Sequence, residues 1–253
     1  MSRLYIFICI AGFIGSGLQA RTTSDSLFVA ANLSYAEGNY QTAGEQYEAI
    51  LIRGFESAEV YYNLGNCYYN LENYPRAILN YERALLLDPG NDNVEYNLSK
   101  ARLFTIDKIE EIPQFIIRRW INSVIILMHS NAWAILSLVT FVIMLSMFLV
   151  YFLSANINRK RIGFYIAIIA LIISVGSYYL ASKSKELVVN SNGAIVMSAT
   201  VTVKGSPRDK GTDLFIIHEG TKVSIVNSLD EWYEIKLSDG KQGWLRNNTI
   251  EPI

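Results

Sequence analysis

The 253-residue chain is poor in cysteine and carries almost no net charge. Its two cysteines are Cys9 and Cys67. Because Cys9 lies in an apolar N-terminal run that is expected to be removed, the mature chain would keep one thiol, which excludes an internal disulfide and a metal site built on thiolates. Cys67 falls on an apolar helical stripe, so we expect a small buried side chain there. The formal charge of −1 leaves no basic stripe of the kind that nucleic-acid binding requires.

The sequence also lacks the motifs that mark an active site. It has no phosphate-binding loop, no dinucleotide-binding glycine motif, no metal-ligand spacing and no Ser-His-Asp or Cys-His combination. Its two histidines, His129 and His218, fall in separate regions, and a lone histidine is more often solvated than catalytic. We therefore expect no catalytic residues, no metal and no cofactor, and we interpret the chain as a non-enzyme.

Apolar residues make up 51% of the chain and are concentrated in particular segments. At the N-terminus, Arg3 precedes an apolar run that extends to about Ile14, and small and polar residues then lead to Ala20. This order is typical of a secretory signal peptide, predicted over residues 1–20 with cleavage after Ala20. A short membrane anchor that stays attached is the alternative.

The first part of the chain repeats itself with a fixed period, which is the interval from Asn32 to Asn66. Shifting the sequence by this period superimposes pairs of identical residues. The pairs are Asn32 and Asn66, Tyr35 and Tyr69, Asn39 and Asn73, Tyr40 and Tyr74, Ala43 and Ala77, and Tyr47 and Tyr81. Self-similarity at such a period predicts a stack of helical repeats, an α-solenoid.

The second copy shows how its two helices would pack. They are predicted at Ala58–Leu71 and Pro75–Leu87, since proline suits a first helical turn and Asp-Pro-Gly follows as a stop signal. Small residues such as Gly65, Ala77 and Ala84 would let the helices approach closely. The many aromatic residues beside them are interpreted mainly as packing.

The second copy also resembles a known family. Residues Leu64–Pro89 carry the pattern L-G-x-x-Y-Y…Y-x-x-A-I-x-x-Y-x-x-A-L-x-L-D-P, which closely resembles the tetratricopeptide repeat. A repeat domain is therefore predicted over residues 24–104. Its first copy, Ser24–Ser57, is weaker, and a third copy begins at Asp92 and breaks off after one helix, which would serve as a cap.

The resemblance implies that the first helix of each repeat lines a concave groove that holds peptides. Some family members clamp a C-terminal carboxylate with two asparagines and three basic residues. This chain keeps asparagines at 32 and 63 but has Phe28, Asn93 and Asn97 at the basic positions, so neutral amides would read any ligand. Alternatively, these asparagines are merely solvated. The candidate groove residues are Asn32, Tyr35, Tyr62, Asn63, Asn66, Tyr69, Asn97 and Lys100.

Two uncharged apolar stretches predict a hairpin of transmembrane helices, at residues 131–153 and 162–181, each long enough to cross a bilayer. Residues 154–161 between them include Arg159, Lys160 and Arg161, which indicates a cytoplasmic loop. Because neither stretch contains an acidic or basic residue, a transporter or proton path is disfavoured and the helices are interpreted as anchors.

The segment before the first span, residues 112–129, is apolar but contains Arg118, Arg119 and Trp120. It predicts an interfacial helix that lies on the membrane surface, although it could instead extend the span. Together with a cleaved signal peptide, the basic loop would place both soluble parts on the outer, periplasmic side of a bacterial inner membrane.

The C-terminal residues 186–253 form short alternating runs that predict about five strands and a small β-barrel. Asp239-Gly240 between two of the runs is a hairpin signal. The order of glycine and tryptophan residues resembles the bacterial SH3-like domain, whose members bind peptides, cell-wall material or other proteins. The candidate binding residues are Trp232, Tyr233 and Trp244, although the family's tryptophan after the glycine is largely structural.

The fold class is thus a multidomain chain, with an α-solenoid, a two-helix membrane hairpin and a small SH3-like barrel. This order resembles the BatE-like proteins of the Bacteroides aerotolerance operon. The resemblance implies sibling membrane proteins of the same operon and a MoxR-type ATPase as companions. Two hypotheses follow: a non-enzymatic membrane scaffold that recruits partner proteins, or a sensor or tether whose SH3-like domain binds peptidoglycan. Neither involves nucleic acid.

Overall fold

The computed structural model describes residues 24–109, 123–125, 127–189 and 192–253. These residues form two compact units. One unit combines the repeat helices with the C-terminal strands, and the other contains two long apolar helices. The predicted signal peptide lies outside the described residues, as does most of the predicted interfacial helix at 112–129.

The repeat helices follow one another with short connections. Helix α1 occupies residues 24–36. It is followed by α2 (Tyr40–Ile52), α3 (Ala58–Asn70), α4 (Tyr74–Leu87) and α5 (Asp92–Arg102). The side chain of Ser57 accepts the backbone N–H of Val60 at the start of α3, and Asn91 accepts that of Val94 at the start of α5. The N-caps Ser57 and Asn91 thus lie one repeat period apart, like the other repeated residues.

The core of the repeat recurs with the same period. Its buried side chains form pairs that lie one period apart, namely Ala43 and Ala77, Tyr47 and Tyr81, Val60 and Val94, Leu64 and Leu98, and Cys67 and Ala101. Close approach depends on Gly65, where an added Cβ would lie 2.7 Å from the ring of Tyr81, so the expected role of this small residue is confirmed. The expectation for Cys67 is also confirmed, since it is fully buried and burial raises the pKa of its thiol to about 12.

The C-terminal residues form an antiparallel sheet of seven strands in the order β3-β2-β6-β5-β4-β1-β7. The strands are β1 (Gly193–Val196), β2 (Thr200–Lys204), β3 (Asp213–His218), β4 (Lys222–Leu229), β5 (Trp232–Lys236), β6 (Gln242–Arg246) and β7 (Ile250–Pro252). The expected hairpin joins β5 to β6, with Gly240 of the turn at a φ of +91° that glycine adopts without strain. Side chains such as Val203, Ile217 and Ile235 form a core on one face.

The sheet packs directly on α4 and on the residues that follow α5. At Gly220, in the turn before β4, an added Cβ would lie 2.7 Å from Thr105 and 3.3 Å from Ile78, and its φ of +80° also favours glycine. Glu82 of α4 is buried, and its two carboxylate oxygens accept hydrogen bonds from Arg102 at 2.5 Å and from Lys222 at 2.6 Å. The repeat helices and the sheet therefore form one packed unit.

A second polar contact joins Asp107 to the turn between β3 and β4. One carboxylate oxygen accepts from the backbone N–H of His218 at 2.6 Å and from the Thr221 hydroxyl at 2.7 Å, while the other lies 2.9 Å from His218 Nδ1. Burial would raise the pKa of Asp107, but these bonds outweigh it and hold the pKa below its ordinary value. The contact therefore favours the ionised carboxylate.

The second unit is a helical hairpin. Helices α6 (Ser130–Leu153) and α7 (Ile157–Val189) are long and apolar enough to cross a membrane, by length and composition. Because α7 begins at Ile157, Arg159, Lys160 and Arg161 lie in its first turns. Its 33 residues extend over about 50 Å, which is more than the apolar stretch at 162–181 requires.

A seam of small residues lets α6 and α7 approach each other. The buried small positions of α7 are spaced alternately by four and three residues, and they are Gly163, Ala167, Ala170, Ser174, Ser177, Ala181 and Ser184. Ser137 and Ser174 donate to each other's backbone carbonyls at 2.9 and 3.0 Å. Small residues and hydroxyl bonds at a helix interface are typical of packing between membrane helices.

Candidate functional site

Several of the predicted groove residues are joined by a hydrogen-bond network that occurs twice. In the first occurrence, the side-chain oxygen of Asn32 accepts from the Tyr47 hydroxyl at 2.5 Å and from the Asn63 amide at 3.3 Å. The three residues come from α1, α2 and α3, so the amide of Asn32 ties together the two helices of one repeat and the first helix of the next.

The second occurrence lies one period further along the chain. The side-chain oxygen of Asn66 accepts from the Tyr81 hydroxyl at 2.8 Å and from the Asn97 amide at 2.9 Å. Asn97 also donates to the Tyr62 hydroxyl at 3.1 Å, which extends the network across α3 and α5. The sequence spacings of the two occurrences are identical, 15 residues to the tyrosine and 31 to the second asparagine.

Burial keeps the hydroxyl groups of Tyr47 and Tyr81 protonated, so that they can donate the hydrogen bonds of this network. It raises the pKa of Tyr47 to about 12 and also raises that of Tyr81. Both hydroxyls are therefore protonated at any physiological pH. The side-chain oxygens of Asn32 and Asn66 thus each accept two bonds within the repeat.

A wall of aromatic rings runs beside the network and follows the same period. Tyr35 packs edge-on against Tyr40, with ring centroids 5.2 Å apart, and Tyr69 packs in the same way against Tyr74 at 5.8 Å. Phe104, which is 54% exposed, stacks on Tyr74 at 4.1 Å and closes the wall. Phe104 was not among the candidates from the sequence. A shift of one repeat period superimposes it on Asn70. Asn70 also contacts this wall, because its amide donates to the Tyr35 hydroxyl at 3.2 Å.

Four polar groups of this region can still serve a ligand. The hydroxyls of Tyr35 and Tyr62 accept amide hydrogen bonds and keep their own hydrogen as a donor. The hydroxyl of Tyr69 has no hydrogen bond within the described part of the chain, where its ring contacts Tyr74 and Phe104. Lys100 is exposed and occupies the position one period after Asn66, with its ammonium 4.3 Å from the Tyr96 ring centroid.

This arrangement presents hydroxyl donors and one cation along a surface walled by aromatic rings. Such a surface suits a ligand with carbonyl acceptors, which is the character of an extended peptide. Within the described ranges, no group of three or more His, Cys, Asp or Glu side chains is placed to hold a metal ion.

The candidates in the sheet divide between its two faces. Tyr233 packs against the core. Trp232 and Trp244 lie on the opposite face, because successive residues of a strand point to opposite sides. On that face Trp232 is opposite Arg246, whose guanidinium carbon lies 5.3 Å from its ring centroid, and Trp244 is opposite Glu234. Arg246 was not among the sequence candidates.

Comparison with known proteins supports the repeat. The family described as "Tetratricopeptide repeat" matches residues 58–91, which are the second copy. A search of curated proteins found no match. A crystal structure of PcrH from Pseudomonas aeruginosa is 14% identical over 67% of this chain and 91% of that chain, with a TM-score of 0.31 that is too low to carry an argument. The chain therefore contains a tetratricopeptide repeat, a module of protein–protein interaction.

Proposed function

We propose that the chain is a non-enzymatic scaffold of a bacterial inner membrane, which binds a partner protein in the groove of its repeats. The observation that carries the proposal is the hydrogen-bond network that occurs once around Asn32 and again around Asn66. This network fixes consecutive repeat helices in register, so the surrounding side chains form a preorganised surface. Binding to such a surface loses less conformational entropy than binding to a flexible one.

The proposed ligand is an extended peptide segment of the partner. Its backbone carbonyls would accept from the hydroxyls of Tyr35 and Tyr62, while its side chains would pack on the aromatic wall of Tyr69 and Phe104. Lys100 would favour an acidic residue at one end of the peptide. No carboxylate clamp is invoked, since the basic positions of that arrangement are not basic here.

In this proposal α6 and α7 cross the membrane. The basic start of α7, with Arg159, Lys160 and Arg161, would lie on the cytoplasmic side, because basic residues next to a span favour that side. The repeat and the sheet would then both be periplasmic. A signal peptide at residues 1–20 would give the same orientation.

The C-terminal sheet is proposed to be an SH3-like module that offers a second contact surface. The partners would be sibling membrane proteins of an aerotolerance operon, in a complex associated with a MoxR-type ATPase. Support for this assignment comes from the order of repeat, apolar hairpin and β module along the sequence.

Crosslinking inside cells tests the scaffold directly. A photo-reactive residue replaces Lys100, which is exposed and makes no hydrogen bond within the described residues that would be lost. Asn66 is a poorer position, since its side-chain oxygen accepts two bonds. The matched control places the same residue at Thr42, an exposed position in the first turn of α2 that belongs neither to the predicted groove nor to the cavity described below. The expected result is one or two membrane-protein adducts from position 100 and none of them from position 42.

The same experiment can contradict the proposal. If both positions give the same adducts, or if no protein is captured from position 100, the groove does not bind a partner. Replacing Tyr62 by Phe removes one hydroxyl donor and should reduce the yield of the specific adducts without unfolding the repeat.

A cell-wall tether is the second candidate, and the face of the sheet with Trp232 and Trp244 favours it. Partly exposed aromatic side chains beside a polar residue such as Arg246 are suited to stacking on sugars or peptides. In that case the purified chain would bind isolated peptidoglycan without any protein partner. Binding should then be lost in Trp232→Ala and retained in Tyr62→Phe.

A further inference from the structure

A cavity of about 330 Å³ lies in the repeat unit, apart from the groove. It is lined by the C-terminal half of α2, by α3, by one face of α4 and by Glu251 of β7. The α4 residues at positions 76, 79, 80 and 83 share that face, because residues three and four apart are neighbours on a helix. None of the predicted groove residues is among the residues that line it. Its volume falls at the small end of the range of ligand sites.

The floor of the cavity is apolar. Leu51, Leu64 and Leu79 line it, and the last two are buried in the repeat. Ile52 lies at the mouth and is 85% exposed. A ligand that covers Ile52 and fills the floor would remove apolar surface from water, which favours binding.

The charged residues of the wall neutralise one another. Arg76 donates to the Tyr68 hydroxyl at 2.8 Å and lies 3.6 Å from Glu48, to which Tyr68 donates. Arg83 donates to Glu251 at 3.1 Å. Each cation thus has its own anion, so the wall offers no unpaired charge to an ionic ligand.

Asn80, one of the residues that line the cavity, has a buried side-chain oxygen without a partner in the described part of the chain. Asn80 is only 3% exposed, and its amide nitrogen donates to the backbone carbonyl of Arg76 at 2.8 Å. Its side-chain oxygen has no hydrogen-bond partner within the described residues. A buried acceptor without a donor destabilises the chain, so a ligand that brings an N–H to this oxygen gains more than apolar contact alone provides.

The geometry points to a second binding site, in which an aliphatic side chain of a partner protein fills the cavity and the adjoining backbone N–H donates to Asn80. The chemistry of the wall selects this occupant. A free amino acid carries two charges that would find no unpaired counter-charge, whereas an internal peptide segment is neutral and supplies both the alkyl group and the N–H. The site is independent of the groove, so a partner could engage either surface alone.

The test uses the full chain in lipid nanodiscs and a matched pair of small peptides. N-acetyl-leucine methylamide has the isobutyl group and the N–H donors. Its analogue methylated on both amide nitrogens has the same alkyl group and no N–H. Binding is followed by methyl NMR of labelled leucines, using the signals of Leu51, Leu64 and Leu79. We expect saturable shifts of these signals with the first compound and about fivefold weaker binding of the second, which corresponds to one net hydrogen bond.

Two variants identify the acceptor and the location. Asn80→Leu should abolish the difference between the two compounds, while Asn63→Leu, which alters a groove amide, should leave it unchanged. If Asn80→Leu does not fold, Ile52→Trp still tests the location from an exposed position, since a larger ring at the mouth should weaken binding of both compounds.

Several results would overturn the inference. They are the absence of saturable shifts at these leucines, equal binding of the two compounds by the unmodified chain, and loss of the difference in Asn63→Leu. Tighter binding of free leucine than of the capped compound would also overturn it, because the occupant would then be a metabolite rather than a partner's side chain.

Discussion

Two glycines inside the repeat helices have opposite surroundings. An added Cβ at Gly65 would lie 2.7 Å from the buried ring of Tyr81, whereas at Gly44 the nearest atoms, in Cys67 and Leu64, lie at ordinary contact distances of 3.8 and 3.9 Å. We expect Gly65→Ala to lower the free energy of unfolding by about 1–3 kcal/mol through overpacking. Gly44→Ala should raise it by about 0.5–1 kcal/mol, since alanine loses less backbone entropy in a helix.

The measurement is the thermal midpoint of the repeat signal in the full chain, followed by circular dichroism. Each kcal/mol should shift the midpoint by about 2–4 °C for a unit of this size. A destabilised Gly44→Ala, or an unchanged Gly65→Ala, would show that the close contact between α3 and α4 is not as described.

The turn after α3 places a glutamate where a glycine is preferred. Glu72 has a φ of +59°, and Gly38, at the equivalent position after α1, has a φ of +81°. Both turns have the same two backbone hydrogen bonds at the end of the helix. After α1, Gly38 donates to the carbonyl of Tyr35 and the next residue donates to that of Ser34. After α3, Glu72 donates to the carbonyl of Tyr69 and the next residue donates to that of Tyr68. We therefore expect Glu72→Gly to stabilise the chain by about 0.5–1 kcal/mol.

The reciprocal variant is the control for this prediction. Nothing lies within 4 Å of an added Cβ at Gly38, so Gly38→Glu tests the backbone conformation without a steric clash. It should destabilise the chain by about 1–2 kcal/mol in the same thermal assay. Equal midpoints for both variants and the unmodified chain would contradict the assignment of the two turns.

The repeated side chains were largely predictable, while their bonds were not. Identity at a shift of one period predicted that Asn32 and Asn66, and Tyr47 and Tyr81, occupy equivalent positions. It did not predict that the amides are acceptors for those tyrosines, because a hydrogen bond depends on rotamers and helix spacing rather than on residue type. The aromatic residues were correctly interpreted as packing, but their hydroxyls also serve as polar links.

The small-residue seam between α6 and α7 should determine how closely these two helices pack. An added Cβ at Gly163 would lie 3.0 Å from the backbone oxygen of Met147, so Gly163→Leu should separate the helices. Gly176 lies on the same helix with nothing within 4 Å, so Gly176→Leu should be tolerated. The distance between spin labels at Leu138 and Val175, which are exposed outside the seam, should increase only in the first variant when it is measured by electron resonance in nanodiscs.

An increase in both variants, or in neither, would contradict the seam. The expected contrast has a simple physical reason, since leucine at a lipid-facing position replaces lipid contacts that are equally apolar, whereas leucine in a small-residue seam must displace a backbone.

The helices of the second repeat agree with the sequence prediction to within one residue, since Ala58–Leu71 and Pro75–Leu87 were expected and α3 and α4 are Ala58–Asn70 and Tyr74–Leu87. Helix α7 is longer than the span predicted at 162–181. Hydropathy reports where apolar residues end, but backbone hydrogen bonding continues through polar residues with good helix propensity, such as Lys183, Lys185 and Glu186.

The junction between the repeat and the sheet responds to acid through Asp107. The pKa of this carboxyl is lowered in the folded chain, so its bonds to His218 and Thr221 contribute stability above the ordinary carboxyl pKa of about 4. That contribution is lost as the pH falls through the lowered pKa. We expect Asp107→Asn to lower the thermal midpoint at pH 7, and the difference from the unmodified chain to shrink below about pH 4.

Hydrogen exchange supplies the control for this prediction. Amides of β3 and β4 at the junction should exchange faster in Asp107→Asn at pH 7, while amides of α1, which lie away from it, should be unchanged. A difference in thermal midpoint that stays constant down to pH 2 would contradict the linkage.

The packing of the sheet on the repeat could not be predicted from the sequence. The bonds that join them connect residues 111 to 169 positions apart, as in Asp107 with His218 and Arg83 with Pro252. No local period or motif marks such partners, because each is an ordinary charged residue in its own segment. The sequence therefore predicted the repeat and the strands but not the contact between them.

The period of the Asn–Tyr network determines how this chain can change in length. A second copy of residues 58–91 inserted after Ser57 would bring its own equivalents of Asn63, Asn66 and Tyr81, and every bond would find a partner. A single residue inserted inside one of these helices would instead rotate every following side chain by about 100° and turn an amide away from its partner. Duplication of the whole repeat is therefore a route by which this surface could lengthen with its bonds intact, whereas insertion inside a helix is not.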